Sequence, residues 1–119
     1  MANILLVDDS RTSRRMLRNI LESAGHTIVD EATDGEQAIE KYIANRPDIT
    51  TLDITMPVMD GIEALKQIKL VDNDAKVIMV SASSQKDKLI EAVKYGAEDF
   101  IAKPFEPSQI ISILNQLVS

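Results

Sequence analysis

Asp53 stands where a short apolar and β-branched run, Ile49-Thr50-Thr51-Leu52, meets a carboxylate shortly before Pro57. Strand propensity is high up to Leu52, and a proline cannot continue a ladder, so Asp53 is expected at the carboxyl end of a strand, where loops gather. Asp8 and Asp9 end the run Ile4-Leu5-Leu6-Val7 in the same abrupt way, Ser81 ends Val77-Ile78-Met79-Val80, and Lys103 follows Asp99-Phe100-Ile101-Ala102 just before Pro104. Carboxylates brought together at strand ends repel one another unless a cation or proton intervenes. A hard divalent ion is the natural answer, and Mg²⁺ favours a few carboxylates together with waters and phosphate oxygens. A lysine there pairs with a carboxylate or with a phosphoryl oxygen. Taken singly, each residue has a plainer reading. Asp8 and Asp9 would cap the next helix, Asp53 would be a turn residue, Ser81 a satisfied strand-end hydroxyl and Lys103 a structural salt-bridge partner. Their joint placement favours a site for Mg²⁺ and phosphate. Lys103-Pro104 is also a junction that tolerates a cis peptide.

That placement depends on the elements between them. The apolar runs do not alternate, as expected of strands covered on both faces of a parallel sheet. Between them lie amphipathic segments. Thr12 to Ala24 carries Met16, Leu17, Ile20 and Leu21 at helical spacing, with Ser10 or Thr12 as cap and Gly25 as stop. A weaker strand, Ile28 to Ala32, precedes a helix opened by Asp34-Gly35 and ended before Pro47; Asp60-Gly61 opens the next, with Ile62, Leu65 and Ile68 inward and Asn73-Asp74 as exit turn. Gln85 to Tyr95 is amphipathic and stops at Gly96, and Pro107-Ser108 introduces a last helix through Val118. Strand and helix alternate five times at about 24 residues per unit, which calls for an α/β fold, a parallel sheet with helices on both faces. Right-handed crossovers then bring every strand's carboxyl end to one edge, where ligands bind such open sheets.

Composition bounds the rest. A chain of 119 residues fits one domain, residues 1–119, and its 45% apolar content includes no run long enough for a membrane span. The N-terminus shows no export signal, and the absence of cysteine excludes disulfides, thiolate metal sites and cysteine nucleophiles. Both point to the cytoplasm. A net charge of −6 disfavours a nucleic-acid surface. Arg11, Arg15 and Arg18, with Arg14 beside them, share a helical face read as solvated, with a docking surface for an acidic partner as the alternative. Met56 and Met59 read as gap-filling side chains, and the single His26, without a partner histidine or acid triad, is given no catalytic role.

The pieces Val7-Asp8-Asp9, Leu52 to Gly61, Val80-Ser81-Ala82, Gly96-Ala97 and Lys103-Pro104-Phe105, in this order and spacing, resemble the receiver domain of two-component response regulators, and among them the stand-alone chemotaxis regulators. The resemblance covers essentially the whole chain. It implies a flavodoxin-like sheet of order 2-1-3-4-5. It also implies a switch in which Asp53 takes a phosphoryl group from a sensor histidine kinase. Asp9, Asp53 and the Thr55 carbonyl would hold Mg²⁺, with Asp8 acting mainly through water, while Lys103 and the Ser81 hydroxyl would hold phosphoryl oxygens. Thr55 and Ser83 would tune the phosphoryl lifetime. Ser81 would couple to Phe100, where relatives often carry tyrosine; a plain core phenylalanine is the other reading of that residue. The output face would be formed by the fourth helix, fifth strand and fifth helix of a monomer, reading out to a protein target such as the flagellar motor switch, with a phosphatase as a further partner. The wide apolar arc of Ile110, Ile111, Ile113, Leu114, Leu117 and Val118 fits such a face or ordinary packing.

A receiver acting with a different output pathway would look much the same. The enzyme-class rival is an aspartyl-nucleophile phosphatase of the haloacid-dehalogenase type, which wants a second acid two residues after the nucleophile, where Thr55 stands. A nucleotide-binding module lacks its Gly-rich or Walker-type loop after the first strand. The expected behaviour is therefore that of a phosphoacceptor that loses its phosphoryl group slowly, not of a turnover enzyme.

Overall fold

The computed structural model describes residues 1–82 and 84–118. Five strands alternate with five helices in the order β1 (Asn3–Val7), α1 (Arg11–Ser23), β2 (Thr27–Ala32), α2 (Gly35–Asn45), β3 (Ile49–Asp53), α3 (Gly61–Val71), β4 (Val77–Ala82), α4 (Lys86–Lys94), β5 (Asp99–Lys103) and α5 (Pro107–Val118). The strands form one parallel sheet in the order β2-β1-β3-β4-β5, the expected doubly wound topology. Register slips once, between Ile4 and Leu5 against β2.

The continuous apolar runs now have their reason. Alternate residues of a strand point to opposite faces, and both faces are covered. Leu5, Val7, Leu52, Val77 and Met79 pack with Ala38, Tyr42, Ile62, Leu65, Ile68 and Ala92 under α2, α3 and α4. Ile4, Leu6, Ile49, Ile78, Val80 and Ile101 pack with Leu17, Leu21, Ile110 and Leu114 under α1 and α5. Each fully buried aliphatic side chain contributes about 1.5–3 kcal/mol relative to exposure.

Three helices start from side-chain caps: Ser10 Oγ accepts from Ser13 N–H at 3.2 Å, Asp34 Oδ1 from Gln37 N–H at 2.8 Å, and Asp60 Oδ1 from Glu63 N–H at 2.9 Å. Ser10 rather than Thr12 is the cap of α1. Gly25 and Gly96, at φ of +93° and +95°, follow α1 and α4 in the left-handed conformation that glycine adopts without penalty. The arginine face of α1 is only partly the solvated face expected. Arg14 and Arg18 both grip Glu31 on β2, Arg14 Nε at 2.8 Å from Oε1 and Arg18 Nε at 2.8 Å from Oε2, whereas Arg11 and Arg15 are exposed. Burial opposes the charge on Glu31, but the two guanidinium groups outweigh it and lower its pKa. In α5, Ile110 and Leu114 are buried, Ile111, Ile113 and Leu117 are half-buried and Val118 is exposed, so the wide apolar arc is mostly packing.

Candidate functional site

The sheet brings the residues singled out above to its carboxyl edge. Asp8, Asp9 and Asp53 each offer an oxygen, and these oxygens lie within 4.8 Å of one another. Lys103 Nζ reaches in from the end of β5, 3.0 Å from Asp8 Oδ2 and 3.5 Å from Asp53 Oδ2. Asp8, Asp53 and Ser81 are buried, and Asp9 is exposed at the mouth. The peptide between Lys103 and Pro104 is cis.

Local structure explains the aim of each group. Asp8 is tied down from three directions: its N–H donates to Ala32 O at 3.0 Å, its Oδ1 accepts from Ser10 N–H at 2.8 Å, and its carbonyl accepts from Arg14 Nη1 at 2.8 Å. Part of the capping reading of Asp8 therefore holds beside the site reading, since one oxygen braces the entry to α1 and the other faces Lys103. Asp53 ends β3, and Ile54 N–H still pairs with Val80 O at 3.1 Å, so the turn begins only after the carboxylate is placed. The returning chain is pressed against it. Gly61 N–H donates to Ile54 O at 2.7 Å, and a Cβ at Gly61 would lie 2.0 Å from the Asp53 carbonyl oxygen. Between them, Met59 N–H bonds back to Pro57 O at 2.7 Å around Val58, whose φ of +68° is a strained conformation for a β-branched residue.

The electrostatics follow from this geometry. Burial pushes the Asp53 carboxyl up to about 6, with Asp8 adding to the shift and Lys103 opposing it. At Lys103 burial disfavours the ammonium, but hydrogen bonding and attraction to Asp8 and Asp53 prevail and its pKa is raised. One amine thus pairs with two of the three carboxylates, Asp8 and Asp53, and the group keeps a surplus of negative charge. The donor set, hard carboxylate oxygens around a common point, suits a small divalent cation.

A family model for the response regulator receiver domain matches residues 4–115. The chain belongs to the response regulator receiver domain family. It is 49% identical over 114 residues to the chemotaxis protein CheY of Thermotoga maritima, covering 96% of this chain and 95% of that protein. It is 47% identical to CheY of Bacillus subtilis, covering 98% and 97%. Among solved structures it superposes on a chain of the CheX–CheY–BeF3–Mg²⁺ complex from Borrelia burgdorferi with a TM-score of 0.93 and 39% identity, over 98% of this chain and 89% of that one. The protein is thus a two-component signalling receiver of the chemotaxis type.

Of the receiver's remaining sequence-predicted residues, Thr55 lies at the rim and Phe100 on β5. Thr55 is exposed beyond β3, and its hydroxyl accepts from Gln85 Nε2. Ser83 lies outside the described residues. Phe100 is 48% exposed on β5, which overturns the reading of it as a plain core phenylalanine: α5 covers the other face of this edge strand through Ile101, and on the Phe100 face the short α4 leaves the ring uncovered. It borders a groove of about 440 Å³ with Ser81, Ala82, Leu89, Ile90 and Ala102. Gln85 was not singled out from the sequence. Its glutamine in a helix-start segment carries no signal by itself, and its partner lies 30 residues away. Among the described residues no helix is long and apolar enough to cross a membrane.

Proposed function

We propose that this receiver is a phosphorylation-activated switch in which Asp53 accepts the phosphoryl group of a phosphohistidine on a sensor kinase. The observation that carries this reading is the convergence of Asp8, Asp9 and Asp53 with Lys103 on one edge. Near neutral pH a carboxyl pushed up to about 6 is still mainly ionised, so Asp53 is a nucleophile. One of its oxygens bonds to phosphorus as the P–N bond to the histidine breaks, and the imidazole nitrogen leaves with the electron pair. Such transfers depend on positioning and charge neutralisation more than on covalent assistance. Lys103 turns from its acid partners toward the incoming phosphoryl oxygens, and the Ser81 hydroxyl donates to another. Asp9, Asp53 and the Thr55 carbonyl would hold Mg²⁺, with Asp8 reaching it mainly through water. When bound, the ion supplies charge neutralisation for the acids and the transferred group.

The phosphoryl group belongs to the same domain that reads it out, so the receiver changes the affinity of its output face and does not turn over a substrate. Thr55, exposed beyond β3, and Ser83 set the phosphoryl lifetime. The groove beside Phe100 supports a ring movement coupled to Ser81, and Ile90, Val93 and Phe100, at 60%, 66% and 48% exposure, supply an apolar output face for a target protein such as the flagellar motor switch. The likeness to a CheY solved with CheX supports a second partner acting on the phosphorylated form, for which a phosphatase fits.

Incubation with Mg²⁺ and acetyl phosphate should give a single phosphoryl adduct by intact mass, and none for Asp53→Asn. An unchanged adduct in that variant would sink the assignment.

A further inference from the structure

Gln85 departs from the pattern of the helix starts around it. Ser10, Asp34 and Asp60 each turn their side chains onto their own helix, whereas Gln85, the N-cap of α4, makes no side-chain capping bond. Its carboxamide instead spans the mouth of the site: Oε1 accepts from Ala82 N–H at 2.8 Å and Nε2 donates to Thr55 Oγ1. A backbone N–H can only donate, so the carbonyl end must face Ala82 and the amino end is left for Thr55. One side chain thereby fastens the β4–α4 turn to the β3–α3 loop.

The direction of the Ala82 N–H gives this strap its significance. The carbonyls of Lys76, just before β4, and of Val80 on β4 accept from the N–H groups of Thr50 on β3 and of Ile54 just past it. N–H and C=O of one residue point to the same side of a strand, and sides alternate. Ala82 N–H therefore points toward the end of β3, one step past the last ladder bond. Ala82 is also in register with Lys103, whose amine lies 3.5 Å from Asp53. A phosphoryl group on Asp53 would need donors for its oxygens from this rim, and this N–H is already committed to Gln85. The helix behind the strap is lightly seated, since Ala92 is its only buried residue among those described.

We propose that Gln85 is a positioning residue of the acceptor site, holding the Ala82 N–H and the Thr55 hydroxyl while Asp53 is free and giving up the N–H to a phosphoryl oxygen when Asp53 is modified. This rests on the acceptor reading above. Release of the carboxamide unfastens the β4–α4 turn from the β3–α3 loop, so the start of α4 gains freedom in the modified state. The strap stabilises the resting state alone, and its removal favours the phosphoryl-like state.

The test is calorimetric titration with beryllofluoride, a phosphoryl mimic, in saturating Mg²⁺. Gln85→Met keeps the side chain's length without its hydrogen bonds and should bind the mimic about three- to tenfold more tightly, the span of one net hydrogen bond. Gln85→Asn, too short to reach both partners, should move the same way. Mg²⁺ affinity without beryllofluoride should be the same in all these proteins. In a Thr55→Val background, where half of the strap is already lost, Gln85→Met should gain less than it does alone. Unchanged or weaker beryllofluoride binding overturns the proposal, as does a parallel change in Mg²⁺ affinity, which would mark a general distortion. Asp53→Asn separates the two levels: if it binds beryllofluoride as wild type does, the acceptor reading itself fails, whatever Gln85 shows.

Discussion

The two edges of the sheet treat their polar groups in opposite ways. At the amino edge single partners hold Asp48, Lys76 and the Nδ1 of His26, although the buried His26 Nε2 and Thr50 Oγ1 have none among the described residues. Asp48 Oδ2 accepts from Asn3 N–H at 2.8 Å, Lys76 Nζ donates to Leu117 O at 2.8 Å, and buried His26 takes the Ala2 N–H on Nδ1 at 3.2 Å. At the carboxyl edge three carboxylates cluster and only two of them, Asp8 and Asp53, pair with the one amine, while the pKa of Asp53 is raised to about 6. The fold tolerates a surplus charge only where something else can later neutralise it. Stability is collected at one edge and held back for a ligand at the other.

Gly61→Ala should give the largest effect. Its Cβ would sit 2.0 Å from the Asp53 carbonyl oxygen and 2.8 Å from Ile54 Cα, both backbone atoms, so a loss of about 3 kcal/mol in urea melts is expected. A variant as stable as wild type would show that the carboxyl edge is built loosely. Next comes the ion. Mg²⁺ at about a hundredfold over its dissociation constant should stabilise the receiver by about 2.7 kcal/mol. Asp9→Ala should forfeit most of this, and equal stabilisation of the variant would break the contrast between edges.

Without Mg²⁺, neutralising the surplus should help: Asp53→Asn should raise the melting temperature by about 3–5 °C. Asp48→Ala, at the amino edge, should instead cost about 0.5–1 kcal/mol for its single hydrogen bond. Same-signed shifts in calorimetry would erase the distinction.

The smallest effect is in pH. Burial, then the positive N-terminus, lowers the pKa of His26 below 6.5, so the unfolded chain takes up the proton first. Stability from neutral His26 is complete above that value and is lost as pH falls below it. Asp53 works in reverse. Its folded pKa of about 6 exceeds the ordinary 3.8, so its cost is present above about 6 and is relieved on acidification toward 3.8. From about pH 7 to pH 5 in Mg²⁺-free buffer, His26→Gln should lose less stability than wild type and Asp53→Asn should lose more. Identical slopes in thermal melts would refute both assignments.

Much of this was legible in the chain itself. Unbroken apolar runs at Ile4–Val7 and Val77–Val80 announced strands covered on both faces, Asp34-Gly35 and Asp60-Gly61 marked helix starts, and the strand-end residues Asp8, Asp9, Asp53, Ser81 and Lys103 named the site. These are local signals, since propensity, period and capping act over a few residues. Partners across the fold were not legible. The arginines of α1 were visible, but that two of them close on Glu31 depends on β2 lying beside β1. The exposure of Phe100 depends on how little α4 covers an edge strand.

Around Asp53 the division is sharpest. The sequence by itself determined which residues could react, because a carboxylate after a buried strand has one place to go in a parallel α/β sheet. Only the tertiary structure decided what surrounds it: Asp8 rather than Asp53 holds Lys103 closer, and Gln85 ties Thr55 to Ala82 across the mouth. Those contacts join loops separated by tens of residues, and strand register and loop closure, not local preference, bring them together.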